Sequence, residues 1–586
     1  MMRRWTLTVA MVVLVAAACT NDDASPNGTA AGSTTSSSGT AAGDTSASGT
    51  GAGSTSASGT RAGSTSGSEA APSSTASNGA ASTSPHGAAT GPATLTAALA
   101  AIENVPKYEP SDWGYVVLDE NSGDVIAAQN ADHMFDPGST MKTYSVSTAL
   151  RLYDSNYQFK TPVYRAGTLS GDSLNGNLIL VGSGDLSFGL REQPDGTLYY
   201  ENTPDLNQSY ATVGLPGAVE PPGDPLAGLD ELATQVRASG ITHVNGDVAI
   251  DDRLFTPYDG FPDGLISPIW VNENLISILV TPGSAVGQPT SINWRPMTAS
   301  YTVDNQATTV AATETTSLQV TEPTAGHLAV TGTIAMGPKP TLVVTEIKDP
   351  AAFARTAFIE ALQRAGVSVT ATPTGPNPAT ILPAKDSYQP GDKVGEHVSA
   401  TLAQYANLIM KVSYNRGADL MACLSAVKVD STDCTKGVAA EVDTFTALGV
   451  SKTSAYPFDG AGSDDHSRSS PTALATFYKN ARQTPYGQTL FDALPVLGKS
   501  GTIANVLSNS PAAGHAQVKT GNRAVGTPAD QLILLGNSLA GYIQAKSGRR
   551  VTFMIAVGNV PLASPAAFLQ VTEDQARMIE AIYQAL

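Results

Sequence analysis

Short apolar stretches separated by turn residues make up most of the chain from about residue 95 onward. Residues 115–118 and 125–128 are two such stretches, and they flank a tight-turn sequence at 121–124. Two apolar stretches around a turn of this kind predict a β-hairpin. A second turn signal, Pro137-Gly138, is followed by residues that suit a helix. The sequence therefore predicts a helix that starts at about Ser139.

The pattern changes between about residues 165 and 390, where strand-like stretches and turns alternate. One amphipathic helix interrupts them and is predicted over 351–365. Helical periodicity returns over 398–412 and ends at Ser413. The elements predicted after it are a strand over 515–521, apolar strands over 531–535 and 551–557, and an amphipathic helix over 573–585.

The start of the chain has a different character. Residues 1–19 have the features of an export signal, with two arginines before an apolar run and three alanines at 16–18. Cys19 follows these alanines and resembles a lipidated lipobox cysteine, with simple cleavage after Ala18 as the alternative. Residues 20–93 are almost all Ser, Thr, Gly and Ala, and such a segment buries too little apolar surface to fold. They predict a flexible linker behind a lipid anchor, or else an unanchored tail.

Charge and cysteine content narrow the class of protein. The 586 residues include 33 Lys and Arg against 51 Asp and Glu, a net charge of −18, which argues against nucleic acid as a partner. Cys423 and Cys434 lie close in sequence and predict a local disulfide in an oxidising compartment, with two separate buried thiols as the alternative. No cysteine stands in a metal-binding pattern and the seven histidines are scattered, so no metal and no cofactor are predicted.

Ser139 and Lys142 form an S-x-x-K motif. In a helix this spacing places both side chains on one face. A serine hydroxyl becomes a useful nucleophile when a neighbouring base removes its proton, and a neutral amine one turn away can do so. The free N–H groups at a helix start also suit the oxyanion of an acyl transfer. Because the spacing recurs at Ser425 and Lys428, the motif alone carries little weight.

Two further motifs follow in order along the chain. Ser413 and Asn415 form S-x-N at the end of a predicted helix, whereas two other copies, at 173–175 and 291–293, lie in strand and turn sequence. Lys519, Thr520 and Gly521 end a predicted strand and form the one K-T-G of the sequence.

The succession S-x-x-K, S-x-N and K-T-G resembles the active site of penicillin-binding proteins and serine β-lactamases. The long segment between the first two motifs is similar to the insertion of class C low-molecular-mass penicillin-binding proteins, the D-alanyl-D-alanine carboxypeptidase/endopeptidases of peptidase family S13. Residues 177–185, 244–252, 458–468 and 538–542 resemble further landmarks of that family. This chain departs from the family pattern at Gly138, where alanine is usual, at Tyr414, at Ala461, where serine is usual, and in extra residues at 464–466.

The resemblance implies an α/β (α+β) transpeptidase-like fold, as in penicillin-binding proteins and β-lactamases. Its catalytic domain would be discontinuous, made of residues 94–165 and 391–586. Residues 166–390 would form one or more strand-rich domains inserted between the two parts.

The resemblance also implies roles for individual residues. Ser139 would be the nucleophile, Lys142 the general base and Ser413 a proton relay. The expected substrate-binding residues are Asn415, Lys519, Thr520 and Gly521, and the oxyanion hole would use the N–H groups of Ser139 and Asn522.

The implied substrates are peptidoglycan stem peptides outside the cytoplasmic membrane, with β-lactams as covalent inhibitors. A β-lactamase or esterase of the same fold is one alternative, although hydrolases of small soluble molecules do not need a large insertion. A tethered wall-binding protein without activity is the other, and the presence of every motif side chain argues against it.

Overall fold

The structure is a computed structural model that describes residues 89–201, 208, 211, 217–260, 264–337 and 339–586. The predicted export signal with Cys19, and most of the predicted linker, lie outside the described residues. No helix in these ranges is long and apolar enough to cross a membrane.

Ten α-helices lie in the described part of the chain. They are α1 (Ala93–Glu103), α2 (Lys142–Tyr153), α3 (Ala227–Ala238), α4 (Pro350–Arg364), α5 (Leu402–Lys411), α6 (Asn415–Lys428), α7 (Thr435–Ala447), α8 (Pro471–Ala481), α9 (Gly487–Ala493) and α10 (Ala567–Ala585).

The strands of the same ranges fall into several sheets. They are β1 (Asp112–Asp119), β2 (Val125–Gln129), β3 (Gln158–Ser170), β4 (Ser173–Val181), β5 (His243–Val244), β6 (Val248–Asp251), β7 (Tyr258–Asp259), β8 (Leu265–Ile266), β9 (Leu275–Thr281), β10 (Ser291–Arg295), β11 (Thr302–Asn305), β12 (Thr308–Val310), β13 (Ser317–Thr324), β14 (His327–Ala335), β15 (Thr341–Glu346), β16 (Ser368–Val369), β17 (Lys393–Thr401), β18 (Ala455–Tyr456), β19 (Arg468–Ser469), β20 (Ala516–Gly526), β21 (Leu532–Gln544) and β22 (Arg550–Leu562).

A five-stranded antiparallel sheet in the order β2-β1-β22-β21-β20 has helices on both faces. Side chains alternate between the two faces of a strand. Along β22, Phe553 and Ile555 therefore join the core that contains residues of α1 and α10, whereas Met554 and Ala556 join the core of α2, α5 and α6. Burial of each such apolar side chain stabilises the fold by about 1.5–3 kcal/mol. Burial on both faces therefore fixes the register of the strands.

The segment between α2 and α5 is rich in strands, as the sequence predicts. Its main sheet has the order β16-β5-β4-β3-β17, with β6 beside β4, and two smaller sheets follow the orders β10-β9-β15 and β11-β14-β12. Helices α3 and α4 share the apolar core of this region. Strand β17 pairs with β3 and leads directly into α5, so this sheet is continuous with the helix that precedes Ser413.

Several predicted elements are confirmed, and some of them differ in their bounds. The hairpin is β1 and β2. The helix after Pro137 begins as a short 3-10 turn, Gly138–Met141, before α2 starts at Lys142. The helix predicted over 398–412 is wrong at its start, because residues 393–401 form β17 and pair with β3. The predicted disulfide between Cys423 and Cys434 is present and joins α6 to the start of α7.

Candidate active site

The turn before α2 places Ser139 against the edge strand β20. Gly138 has φ +50, in the left-handed region that favours glycine. A Cβ at Gly138 would lie 2.5 Å from the backbone N of Asn522, and a Cβ at Gly521 would lie 2.0 Å from the carbonyl O of Pro137. Both glycines are therefore needed for this close approach of turn and strand. The departure from the family's usual alanine at Gly138 thus has a local geometric reason.

Lys142 is the first residue of α2 and its side chain is buried. Its Nζ lies 2.6 Å from Ser139 Oγ and 2.6 Å from Asn415 Oδ1, and it donates to the carbonyl O of Ala461 over 2.8 Å. Ala461 contributes its backbone, so the replacement of the family's serine leaves this hydrogen bond in place. The geometry allows the Ser139 hydroxyl to pass its proton to Lys142 when the amine is neutral.

Ser413 and Lys519 form a second hydrogen-bonded pair. Lys519 Nζ donates to Ser413 Oγ over 2.9 Å and to the carbonyl O of Thr520 over 2.8 Å. Burial and the repulsion of Lys142 hold the pKa of Lys519 well below its ordinary value. Because this repulsion is mutual, the two lysines resist carrying two positive charges at once.

Thr520 Oγ1 lies 3.0 Å from Thr502 Oγ1. Thr502 belongs to the short 3-10 helix Gly501–Ile503. Sequence reasoning missed Thr502, although it follows directly on the K-S-G tripeptide at 499–501 that resembles K-T-G. Two threonine hydroxyls beside a buried lysine can donate hydrogen bonds to a carboxylate.

A loop at 459–464 closes the site behind Lys142. The carboxylate of Asp459 accepts hydrogen bonds from the backbone N–H groups of Gly462, Ser463 and Asp464, and Asp419 accepts one from Gly460. These bonds satisfy backbone donors that burial would otherwise leave unpaired. They therefore fix the position of the Ala461 carbonyl group that faces Lys142.

Arg523 connects this loop to the turn that carries Ser139. Its Nε donates to Asp136 Oδ2 over 2.6 Å, and its terminal nitrogens donate to the carbonyl groups of Gly462, Ser463 and Asp464. Asp136 Oδ1 accepts from Gly138 N over 3.0 Å. Burial raises the pKa of Asp136 even though Arg523 opposes the shift. Sequence reasoning also missed this pair, because neither residue belongs to a motif.

The structure brings together the predicted catalytic and binding side chains. Ser139, Lys142 and Asn415 share one set of contacts, and Ser413, Lys519 and Thr520 share the adjoining one. A serine with a lysine base, a second serine–lysine pair and a K-T-G strand define a serine acyl-transfer site of the penicillin-binding class.

The D-Ala-D-Ala carboxypeptidase 3 (S13) family model matches residues 95–578. The chain belongs to this family, and its reaction class is that of a serine D-Ala-D-Ala carboxypeptidase. The class C low-molecular-mass resemblance drawn from the motifs is thereby confirmed.

Individual relatives are distant but cover most of the chain. A D-alanyl-D-alanine carboxypeptidase of Actinomadura sp. (strain R39) is 25% identical over 496 residues, which is 80% of this chain and 82% of the relative. The D-alanyl-D-alanine carboxypeptidase DacB of Haemophilus influenzae is 22% identical over 470 residues, 76% of this chain and 85% of the relative.

The crystal structure of penicillin binding protein 4 (dacB) from Haemophilus influenzae has the same fold. It matches with a TM-score of 0.61 at 18% identity, over 83% of this chain and 98% of that protein. The predicted mixed α/β fold of the penicillin-binding type is confirmed by this likeness.

Proposed function

We propose that the protein cleaves the terminal D-Ala-D-Ala bond of peptidoglycan stem peptides through an acyl-enzyme at Ser139. The observation that carries this proposal is the 2.6 Å contact between Lys142 Nζ and Ser139 Oγ, beside a second buried lysine, Lys519. Family membership supports the reaction class. The hydrogen bonds around Ser139 and Ser413 support the roles that we propose for individual residues.

Acylation begins when neutral Lys142 takes the proton of Ser139 as Oγ attacks the substrate carbonyl carbon. The N–H groups of Ser139 and Asn522 stabilise the oxyanion, where loss of one donor costs about 2.7–4 kcal/mol. The carbon–nitrogen bond then breaks while Ser413 gives its proton to the leaving amine. The Ser413 oxygen recovers a proton from Lys142 or from Lys519, which donates to it over 2.9 Å.

The substrate's terminal carboxylate would bind at Lys519 and Thr520, with Asn415 on the substrate amide and the Gly521 backbone alongside. An arriving carboxylate favours the charged form of Lys519. A charged Lys519 in turn disfavours a second charge on Lys142. Substrate binding and activation of the base are therefore coupled.

Water then attacks the acyl carbonyl group and frees Ser139, which completes the carboxypeptidase reaction. When the leaving amine belongs to a neighbouring stem peptide, the same chemistry opens a cross-link as an endopeptidase. β-Lactams would acylate Ser139 and leave slowly; penicillin binding protein 4 of Haemophilus influenzae, which shares the fold, has been solved in complex with a β-lactam.

The domain organisation and the location of the protein are also part of the proposed function. A catalytic domain of residues 94–165 and 391–586 would carry the site, and residues 166–390 would form the inserted strand-rich part. Strand β3 runs across the first of these boundaries. The protein would work outside the cytoplasmic membrane, held there by a lipid on Cys19 and the linker at 20–93.

Intact mass after incubation with benzylpenicillin tests the proposal. We expect one added benzylpenicillin on the wild-type protein and none on Ser139→Ala. Rapid turnover of the drug without a lasting adduct would favour the β-lactamase alternative. A folded protein that neither binds nor hydrolyses benzylpenicillin would overturn the role of Ser139 and favour the inert wall-binding alternative.

A further inference from the structure

A second cluster of titratable side chains lies where the loop after β4 meets β17. Asp185, Glu192 and His397 each offer one donor atom, and these three atoms lie within 4.8 Å of one another. His397 Nε2 is 3.3 Å from Asp185 Oδ2 and 3.5 Å from Glu192 Oε1. The His397 and Asp185 side chains are 4% and 3% exposed, whereas Glu192 is 28% exposed and gives the cluster a path to solvent.

One oxygen of Asp185 is fixed by the protein and the other is not. Oδ1 accepts hydrogen bonds from Ser187 N over 3.0 Å, from Phe188 N over 2.9 Å and from the hydroxyl of Tyr405. Oδ2 is buried and makes no hydrogen bond. Metal-ligating carboxylates are held by hydrogen bonds of this kind, and here they leave Oδ2 facing His397 Nε2 at 3.3 Å.

The imidazole of His397 is oriented in the same manner. Its Nδ1 lies 2.5 Å from Glu231 Oε2, on α3, and the bond places the ring proton on Nδ1. The other ring nitrogen, Nε2, is buried without a hydrogen-bond partner. A carboxylate on the far nitrogen of a histidine is the usual support for a metal-binding imidazole, because it fixes the tautomer and the ring plane.

The distances favour a metal ion over an ion pair. A charged N–H donor would approach a carboxylate oxygen to about 2.7–2.9 Å, closer than either contact of Nε2. Donors held at about 2.0–2.2 Å from a tetrahedral zinc ion are separated by about 3.3–3.5 Å, and the two contacts of Nε2, at 3.3 and 3.5 Å, have this separation. Octahedral magnesium would draw its donors to about 3 Å from one another, and calcium prefers oxygen donors alone.

We propose that Asp185, Glu192 and His397 bind one divalent cation of the zinc type, with Glu231 as the residue that orients His397. The ion would connect the loop after β4 to β17. The hydrogen bond between Glu231 and His397 would link α3 to the same site. Tyr405 of α5 holds Asp185, so the ion would also support the helix that precedes Ser413. Three protein ligands leave the fourth position of a tetrahedral ion to water. The site shares no residue with the hydrogen bonds around Ser139, and it does not depend on the proposed function.

The proposal reverses the prediction that the chain has no metal site. That prediction relied on closely spaced ligands, and the three ligands here come from residues 185, 192 and 397. Only the pairing of β17 with β3, and of β3 with β4, brings them together.

Metal analysis of the full-length protein, purified without a histidine tag, tests the site. After exposure to Zn²⁺ and dialysis, we expect about one zinc per chain in the wild type. Glu192→Gln and His397→Gln should lower zinc affinity by at least the 10–100-fold known for changes to supporting residues. Glu396→Gln is the matched control, because Glu396 neighbours His397 on β17 but pairs with Lys160 and Lys393 instead.

Thermal unfolding provides a second measurement. A chelator should lower the melting temperature of the wild type and of Glu396→Gln by several degrees, and Zn²⁺ should restore it, since a ligand that binds only the folded state stabilises it. Glu192→Gln should show no such shift. Far-UV circular dichroism identifies the variants that are folded, independently of any activity. A wild type without bound zinc and without a chelator effect, or a Glu192→Gln protein with wild-type affinity, would overturn the proposal.

Discussion

Lys519 Nζ donates a hydrogen bond to Ser413 Oγ over 2.9 Å, although the two residues are 106 positions apart in the chain. The bond joins β20 to the junction of α5 and α6. Ser413 has φ +57 there, a left-handed conformation that costs a residue with a Cβ about 1–2 kcal/mol. Lys519 is fully buried beside another lysine. This hydrogen bond therefore forms despite the strained backbone of Ser413 and the cost of burying the Lys519 amine.

Replacement of Lys519 by methionine should make the protein more stable and inactive. Burial and Lys142 lower the pKa of Lys519 in the folded protein, whereas the unfolded chain takes up a proton near the ordinary value of 10.5. As the pH falls below 10.5, the unfolded state of the wild type is therefore favoured, and methionine removes this penalty. Urea unfolding at a series of pH values should show an advantage for Lys519→Met at neutral pH that fades as the pH approaches 10.5.

The same variant should lose benzylpenicillin labelling by at least a hundredfold. Lys519→Arg is the control, since it keeps a cation that cannot be neutralised. If Lys519→Met were less stable than the wild type at neutral pH, the buried charge would not be a source of instability.

Substitution of Gly138 by alanine should slow acylation of Ser139 sharply. Its Cβ would lie 2.5 Å from the backbone N of Asn522, so turn and strand must separate at the proposed oxyanion hole. Gly171 is the matched control, because its φ of +62 is similar and a Cβ there meets nothing within 4 Å. We expect Gly171→Ala to lose about 1–2 kcal/mol of stability with unchanged labelling.

Measurement of the second-order rate of benzylpenicillin labelling separates the two glycine variants. Gly138→Ala should fall by a factor of about 100 or more, in line with a displaced oxyanion donor. Equal rates for Gly138→Ala and the wild type would show that Asn522 is not held in place by this contact.

Removal of Arg523 should destabilise the turn that carries Ser139. The Arg523→Ala protein would leave the buried carboxylate of Asp136 without this cation and would remove one hydrogen-bond donor from each of three carbonyl groups. Breaking a buried pair in this way costs about 3–5 kcal/mol. Chemical denaturation should detect that loss.

Arg577→Ala is the reference for this experiment. Arg577 pairs with Glu573 over 2.7 Å on the exposed face of α10, where an ion pair is worth about 0.3–0.5 kcal/mol. Similar losses for Arg523→Ala and Arg577→Ala would contradict the structural role given to Arg523.

Glu441 gives a prediction about pH. Neither of its buried carboxyl oxygens makes a hydrogen bond. Burial, together with Asp459 and Asp419, raises its pKa well above the ordinary 4.5. As the pH rises above 4.5, the unfolded chain loses this proton while the folded protein holds it, so stability falls. Glu441→Gln should therefore be more stable than the wild type at neutral pH and equal to it below pH 4.5. Thermal melts of both proteins at the two pH values measure this. A difference in melting temperature that is the same at both pH values would contradict the prediction.

The sequence predicts the local parts of the site and not its long-range contacts. Ser139 and Lys142 are one helical turn apart, so their contact follows from spacing alone. The K-T-G strand follows from its apolar pattern. The predicted start of α5 is wrong because residues 398–401 belong to β17, which pairs with β3. Helical periodicity in the sequence does not reveal such a strand partner. Asp136 and Arg523 are 387 positions apart, and only sheet register and loop closure bring them within 2.6 Å.

The pairing of β1 with β22 has a consequence for how the enzyme forms. Strand β1 lies before the nucleophile in the chain, yet its hydrogen-bonded neighbour is the last strand of the sheet. A chain that is synthesised from its first residue contains Ser139 long before it contains β20, β21 and β22. Contacts between such distant segments form slowly, because a long loop must close first. Ser139 therefore lacks Lys519 and the edge strand β20 beside it until nearly the whole polypeptide has been made, and the site is complete only after the last strand has paired.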